Sequence, residues 1–149
     1  MFSSPAVVDG VVYFGSFTGI VHAIDAATGQ ERWKFRTDDW IVSSPAVARG
    51  SVYAGSMDGV LYAIDAATGQ LRWDTPIGDS IVSSPVVIGG TVYVGSNNGS
   101  LFAVDAVTGQ VRWTFETDGS IDSSPAVSGG IVYVGSNDGN VYAIGNLSN

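Results

Sequence analysis

The chain holds a single histidine, His22, and no cysteine. A Ser-His-Asp relay would have to run through that one imidazole, because a nucleophilic serine needs an adjacent base to take its proton. In a sequence that repeats at a spacing of about forty residues, His22 aligns with Tyr62, Phe102 and Tyr142. A position filled by a ring each time reads as an aromatic packing slot, so triad chemistry is set aside. Without Cys there is no disulfide, no thiol nucleophile and no thiolate metal site. Asp58, Asn97, Asn98, Asn137 and Asp138 offer oxygen atoms of the kind Ca2+ takes, but their spacing matches no EF-hand loop. They cluster before Gly59, Gly99 and Gly139, which is ordinary turn chemistry. Arg32, Arg72 and Arg112 each precede a Trp, and a solvated row on an outer strand accounts for them. What these residues offer is recognition, not turnover.

The elements that must carry such residues are set by the repeat. Ala23-Ile24-Asp25-Ala26-Ala27-Thr28-Gly29-Gln30-Glu31-Arg32-Trp33 returns almost unchanged as Ala63 to Trp73 and as Ala103 to Trp113. A fourth copy starts at Ala143-Ile144 and breaks off at Gly145, where the others have Asp. Aligned on Ser-Ser-Pro, the units run over 3–42, 43–82, 83–122 and 123–149 of one segment, 1–149. Each opens with a short apolar strand behind Pro5, Pro45, Pro85 or Pro125, where a missing N–H costs least. Two-residue turns at Asp9-Gly10, Arg49-Gly50, Gly89-Gly90 and Gly129-Gly130 lead into second strands centred on Tyr13, Tyr53, Tyr93 and Tyr133. A second turn, a third strand ending in Asp and an Ala-x-Thr-Gly corner lead to the Trp strand. The fold class is all-β: a β-propeller of four-stranded antiparallel blades, the last one incomplete.

Physical roles follow within the eleven-residue stretch. Asp25, Asp65 and Asp105 can accept N–H groups of the turn, an Asx-type closure. Gly29, Gly69 and Gly109 supply the left-handed residue that returns the chain antiparallel. Trp33, Trp73 and Trp113 present large rings whose indole N–H needs a carbonyl, and the small Ala23, Ala63 and Ala103 leave room for close approach. With a neighbour on each side, Trp73 is expected to be fully buried.

This set resembles the tryptophan-docking motif of pyrroloquinoline quinone (PQQ) type propeller repeats, and the resemblance covers nearly the whole chain. That family includes quinoprotein alcohol dehydrogenases and non-catalytic scaffolds such as the lipoprotein of the bacterial outer-membrane assembly machine. The resemblance implies docking roles for Ala23, Asp25, Gly29, Trp33, Ala63, Asp65, Gly69, Trp73, Ala103, Asp105, Gly109 and Trp113. It also implies an extracytoplasmic parent. The motif is architectural, so it specifies fold far more than function. A family dehydrogenase would need a quinone over a full ring of blades, a Ca2+ site and a catalytic Asp, commonly with paired cysteines; neither PQQ nor Ca2+ is expected here.

Composition narrows the partners. Net charge is -8 and Lys34 is the only lysine, so a phosphate backbone would be repelled. The longest apolar runs are too short for a spanning helix. Asn146-Leu147-Ser148 matches the glycosylation pattern, a short match of the kind chance supplies. The loops between units and the turns between second and third strands should share one face. That face would gather Asp38, Asp39, Asp58, Asp79 and Asp118 with Phe17, Trp40 and Met57, a surface for a cationic or peptide ligand.

The functional expectation is a non-catalytic scaffold or protein-interaction module. Two rivals stand beside it: a PQQ-binding fragment of a dehydrogenase, and a purely architectural repeat protein. Adding PQQ and Ca2+ while following quinone absorbance separates the first of these. The chain stops after the third strand of unit four, and this leaves an expected open edge. The assembly expectation is a head-to-tail homodimer closing one eight-bladed ring, with a self-closed four-bladed monomer as the alternative.

Overall fold

The computed structural model describes residues 3–145; the Asn146 pattern lies outside them. Four antiparallel sheets follow one another along the chain. The first holds β1 (Ala6–Val8), β2 (Val11–Gly15), β3 (Ile20–Asp25) and β4 (Glu31–Arg36), in that spatial order. The second holds β5 (Ala46–Ala48), β6 (Ser51–Gly55), β7 (Val60–Asp65) and β8 (Leu71–Pro76). The third holds β9 (Val86–Ile88), β10 (Thr91–Gly95), β11 (Ser100–Asp105) and β12 (Val111–Glu116). The fourth is three-stranded: β13 (Ala126–Ser128), β14 (Ile131–Gly135) and β15 (Val141–Gly145).

Each sheet is a meander because every connection is short and carries turn chemistry. Asp9 and Gly10 both have positive φ (49° and 74°), which lets a two-residue turn follow the strand twist. Pro5, Pro45, Pro85 and Pro125 stand just before the first strands, not within them. In the first unit Tyr13 lies opposite both Ala6 and Ala23, and Ala23 lies opposite Trp33. A bulge between Ala23 and Ile24 then turns the chain into the Asp corner.

The core lies between blades, not inside one. Alternate residues of a strand face opposite neighbours, so a middle blade buries both sides of its strands. Val11, Tyr13, Val21, Trp33 and Ile41 of unit one pack on Val52, Ala54, Tyr62 and Ile64 of unit two. Tyr53, Leu61 and Ile81 meet Val92, Val94 and Val104 at the next junction. Tyr93, Leu101 and Ile121 meet Val132, Val134 and Ile144 at the third. Each fully buried Ile or Leu here contributes roughly 1.5–3 kcal/mol. The inner strands β1, β5, β9 and β13 touch in succession. Among the described residues no core cluster joins unit four to unit one. Among the described residues both ends of the arc expose apolar side chains: Val7 is 64% exposed at one end, Val141 79% and Tyr133 38% at the other.

One expectation is corrected. Trp73 is only partly buried, whereas Trp33 at the same position of β4 is buried. His22 does occupy an aromatic packing position, but within its own blade. Tyr62 and Tyr142 pack across a junction instead, against Phe35 and Phe115 of the preceding unit at 5.6 and 5.4 Å. His22 belongs to the first unit, so it stacks on its own Phe14 at 4.9 Å and bonds Glu31 through Nδ1 at 3.0 Å.

Candidate functional site

At one edge of the blades the docking residues form a connected girdle. Asp25 Oδ1 accepts the N–H of Ala27 and Thr28 and the Thr28 hydroxyl at 2.9–3.0 Å. Its other oxygen takes Arg32 Nη2 at 2.6 Å. Asp65 with Arg72 (2.7 Å) and Asp105 with Arg112 (2.6 Å) repeat the pair. The Arg row is thus tied down, not simply solvated. In each case the guanidinium first, then the turn N–H of the Thr, holds the carboxyl well below the usual carboxylate range.

The indole of Trp33 donates to Ala66 O at 2.9 Å, and that of Trp73 to Ala106 O at 3.1 Å. Tyr13 and Tyr53 send their hydroxyls to the same two carbonyls at 3.2 and 3.0 Å. Trp33 and Trp73 each lie over a glycine of the next unit. A Cβ at Gly69 would meet Trp33 Cγ at 2.7 Å, and one at Gly109 would meet Trp73 Cδ2 at 2.7 Å. Gly69 and Gly109 therefore serve twice, through positive φ (73° and 74°) and through lack of a side chain.

Sequence reasoning passed over the serines. The second Ser of each Ser-Ser-Pro links inner strands: Ser4 N–H donates to Ser44 Oγ, Ser44 N–H to Ser84 Oγ and Ser84 N–H to Ser124 Oγ, at 2.8, 2.8 and 3.1 Å. The first Ser closes its own blade by accepting the N–H of Gly15, Gly55, Gly95 or Gly135 at 2.9–3.2 Å. Their unbroken recurrence was the available signal. The acceptor alanines 66 and 106, matched by Ala26 in unit one, recur in three units and were also passed over.

The opposite edge carries the acidic, partly aromatic face. Phe17 and Trp40 pack ring to ring at 5.3 Å. With Val42, Ser44, Met57, Val82 and Ser84 they line an open pocket of about 500 Å3. Asp39 and Asp79 hold the N–H of Trp40 and Ser80 at 2.7 Å. Asp58 accepts Asp38 N–H at 3.1 Å and the Tyr62 hydroxyl at 2.9 Å. Burial first, then that carboxylate, pushes the Tyr62 phenol upward. Asp118 is not near the pocket residues: its N–H reaches Asp138 at 3.2 Å, between units three and four.

The residues at this mouth do not suit the family's cofactor. PQQ is a polycarboxylate, and the pocket lining contains no Lys or Arg. Among the described residues no group of three or more His, Asp or Glu is placed to hold a metal ion. No helix among them is long and apolar enough to cross a membrane.

Sheets arranged this way, with Trp33 and Trp73 of outer strands docked on the next blade, define a β-propeller of PQQ-like repeats. Within that class the chain belongs to the family described as outer membrane protein assembly factor BamB, whose model matches residues 2–82 and 58–147. The structure is similar to BamB from Moraxella catarrhalis (TM-score 0.87, 23% identity), over 97% of this chain and 46% of that one. It is similar to the computationally designed Ika4 protein (TM-score 0.83, 21% identity) over 97% of this chain and 94% of that one. A quinohemoprotein alcohol dehydrogenase from Pseudomonas putida HK5 matches at TM-score 0.80 and 27% identity, over 90% of this chain and 28% of its own. No curated protein sequence is close enough to count as a relative. The chain thus spans about half the length of the BamB chain it matches.

Proposed function

We propose that this chain is a non-catalytic propeller scaffold serving as an interaction module, and that two copies close head to tail into one eight-bladed ring. The observation that carries the assembly is the likeness of these exposed ends to the two sides of an internal junction. Val12, Phe14, His22 and Ile24, all partly exposed, occupy the positions of Val52, Ala54, Tyr62 and Ile64. Ile131, Tyr133, Val141 and Ala143 occupy those of Val11, Tyr13, Val21 and Ala23. Polar groups agree with this pairing. Ser124 N–H stands where Ser84 N–H donates to the next Ser, and Ser4 Oγ stands where that acceptor stands. Tyr133 takes the place of Tyr13 and Tyr53, whose acceptors Ala66 and Ala106 correspond to Ala26.

Two different faces that complete each other make a head-to-tail contact, and such contacts close into rings when the rotation permits. Coverage of 46% of the matched BamB chain supports a reading of this chain as about half of a larger propeller. Light scattering at micromolar concentration should give the mass of two chains. Val141→Asp, which buries a carboxylate at the joint, should leave a folded monomer. A wild-type chain that stays monomeric and unfolds cooperatively overturns the ring.

A further inference from the structure

The units are near copies, so positions where they diverge without harm to the fold point to a job other than folding. Position 17 and its equivalents read Phe17, Met57, Asn97 and Asn137; position 40 and its equivalents read Trp40, Ser80 and Ser120; position 42 and its equivalents read Val42, Val82 and Asp122. The apolar choices all fall on the first two junctions, where they line one opening. Units three and four build the same backbone from Asn97, Asn137, Ser120 and Asp122. The architecture therefore does not require Trp40, which is 54% exposed. An exposed aromatic and thioether cluster of this kind marks a contact surface.

Charge selects what fits there. The chain has six basic residues. Arg32, Arg72 and Arg112 are ion-paired at the far edge. Arg49 lies in the β5–β6 turn at that same edge, and Lys34 sits mid-strand beside Glu31. Only Arg36 reaches the pocket's edge of the blades, where it bonds Thr18 O at 3.3 Å. Against it stand Asp38, Asp39, Asp58, Asp79, Asp118, Asp122 and Asp138, in the loops and turns of that edge. A face of one sign attracts partners of the other and repels its own.

We infer that the pocket between Phe17, Trp40, Met57 and Val82 receives one apolar side chain of a basic peptide segment, whose flanking cations lie over the surrounding aspartates. The volume, about 500 Å3, suits a single aromatic or aliphatic side chain with its backbone. An anionic peptide or a polycarboxylate would fill the same space against the charge. The inference rests on the interaction-module reading and is independent of ring closure.

Three capped pentapeptides test it by calorimetry: Lys-Lys-Phe-Lys-Lys, Lys-Lys-Ala-Lys-Lys and Glu-Glu-Phe-Glu-Glu. The first should bind saturably and weaken with added salt. The second should bind about tenfold more weakly, for want of the buried ring. The third should not bind. The double variant Trp40→Ser, Met57→Asn installs residues that other units already hold, so its fold should survive. It should lower affinity for the Phe peptide to that for the Ala peptide. Equal binding of the two basic peptides, an unaffected double variant, or no saturable binding by the first peptide overturns the inference. Light scattering on the same samples keeps the two proposals apart. Absence of peptide binding in a two-chain particle refutes the pocket alone, whereas peptide binding by a monomer refutes the ring alone.

Discussion

Gly29 and Gly69 occupy the same place in the docking motif, with φ of 72° and 73°, and differ in one respect. At Gly29 an added Cβ meets nothing within 4 Å; at Gly69 it would meet Cγ, Cδ2 and Cβ of Trp33 at 2.7, 2.8 and 2.9 Å. Placing Ala in the left-handed region costs about 1–2 kcal/mol. Stiffening the unfolded chain returns roughly 0.4–1 kcal/mol of that to both variants. Gly29→Ala should therefore destabilise by about 1 kcal/mol. Gly69→Ala carries the same term plus the clash. Trp33 cannot easily step aside, being bonded to Ala66 O at 2.9 Å and packed on Tyr13 at 5.8 Å. Overpacking of this kind adds about 1–3 kcal/mol. Urea unfolding followed by circular dichroism measures both, and Gly109→Ala should resemble Gly69→Ala because Trp73 covers it in the same way. A double-mutant cycle with Trp33→Ala isolates the cause: without the indole, Gly69→Ala should cost no more than Gly29→Ala. Equal losses for the two glycines, or an excess that survives removal of the ring, would refute the docking account.

Two further outcomes can be checked with the same measurements. Trp73→Ala should cost about 3–5 kcal/mol, since it removes a packed ring and orphans its carbonyl partner, whereas Trp40→Ala should cost less than about 1 kcal/mol; similar urea midpoints for the two would contradict this. Asp25, Asp65 and Asp105 have lowered pKa values in the fold, so their contribution is present above the unfolded pKa of about 3.9 and lost as pH falls through the folded values. The urea midpoint should drop between about pH 5 and about pH 2, and Asp65→Asn should flatten that slope; a midpoint insensitive to acid would count against the girdle.

The blade architecture was legible in the sequence because each of its parts is enforced locally. Turns such as Asp9-Gly10, strands such as Val11–Gly15 and the Asp25 corner need no distant partner to be read. What the sequence left hidden were relations across junctions. Ser4 reaches Ser44, and Trp33 reaches Ala66, through side-chain and backbone atoms of the next unit. Ser and Ala carry no distinctive pattern of their own, so only their constancy could have singled them out. His22 shows the same limit. Alignment placed it in an aromatic packing position, which its stacking on Phe14 bears out, but did not show that the partner ring differs: Tyr62 meets Phe35 of the preceding blade. The gathering of Phe17, Trp40 and Met57 on one face was legible; that Val42 and Val82 complete the pocket was not, since they look like any other strand-flanking valines.

The two edges of the blades differ in how they hold together, and this difference explains why one is constant and the other varied. At the docking edge the junctions run through side chains: indole to carbonyl, phenol to carbonyl, and the Asp-Arg pairs that fix each corner. Changing a residue type there breaks a link. At the pocket edge, turn and loop are joined backbone to backbone: Met57 N–H to Trp40 O at 2.8 Å, Asn97 N–H to Ser80 O at 3.0 Å and Asn137 N–H to Ser120 O at 2.9 Å. Backbone links of this kind do not depend on the residue type that supplies them. The same geometry therefore carries Met and Trp at one junction, Asn and Ser at the others. Trp40 and Met57 meet through their backbones, so their side chains can diverge between otherwise repeated units, and recognition can be encoded there without disturbing the scaffold.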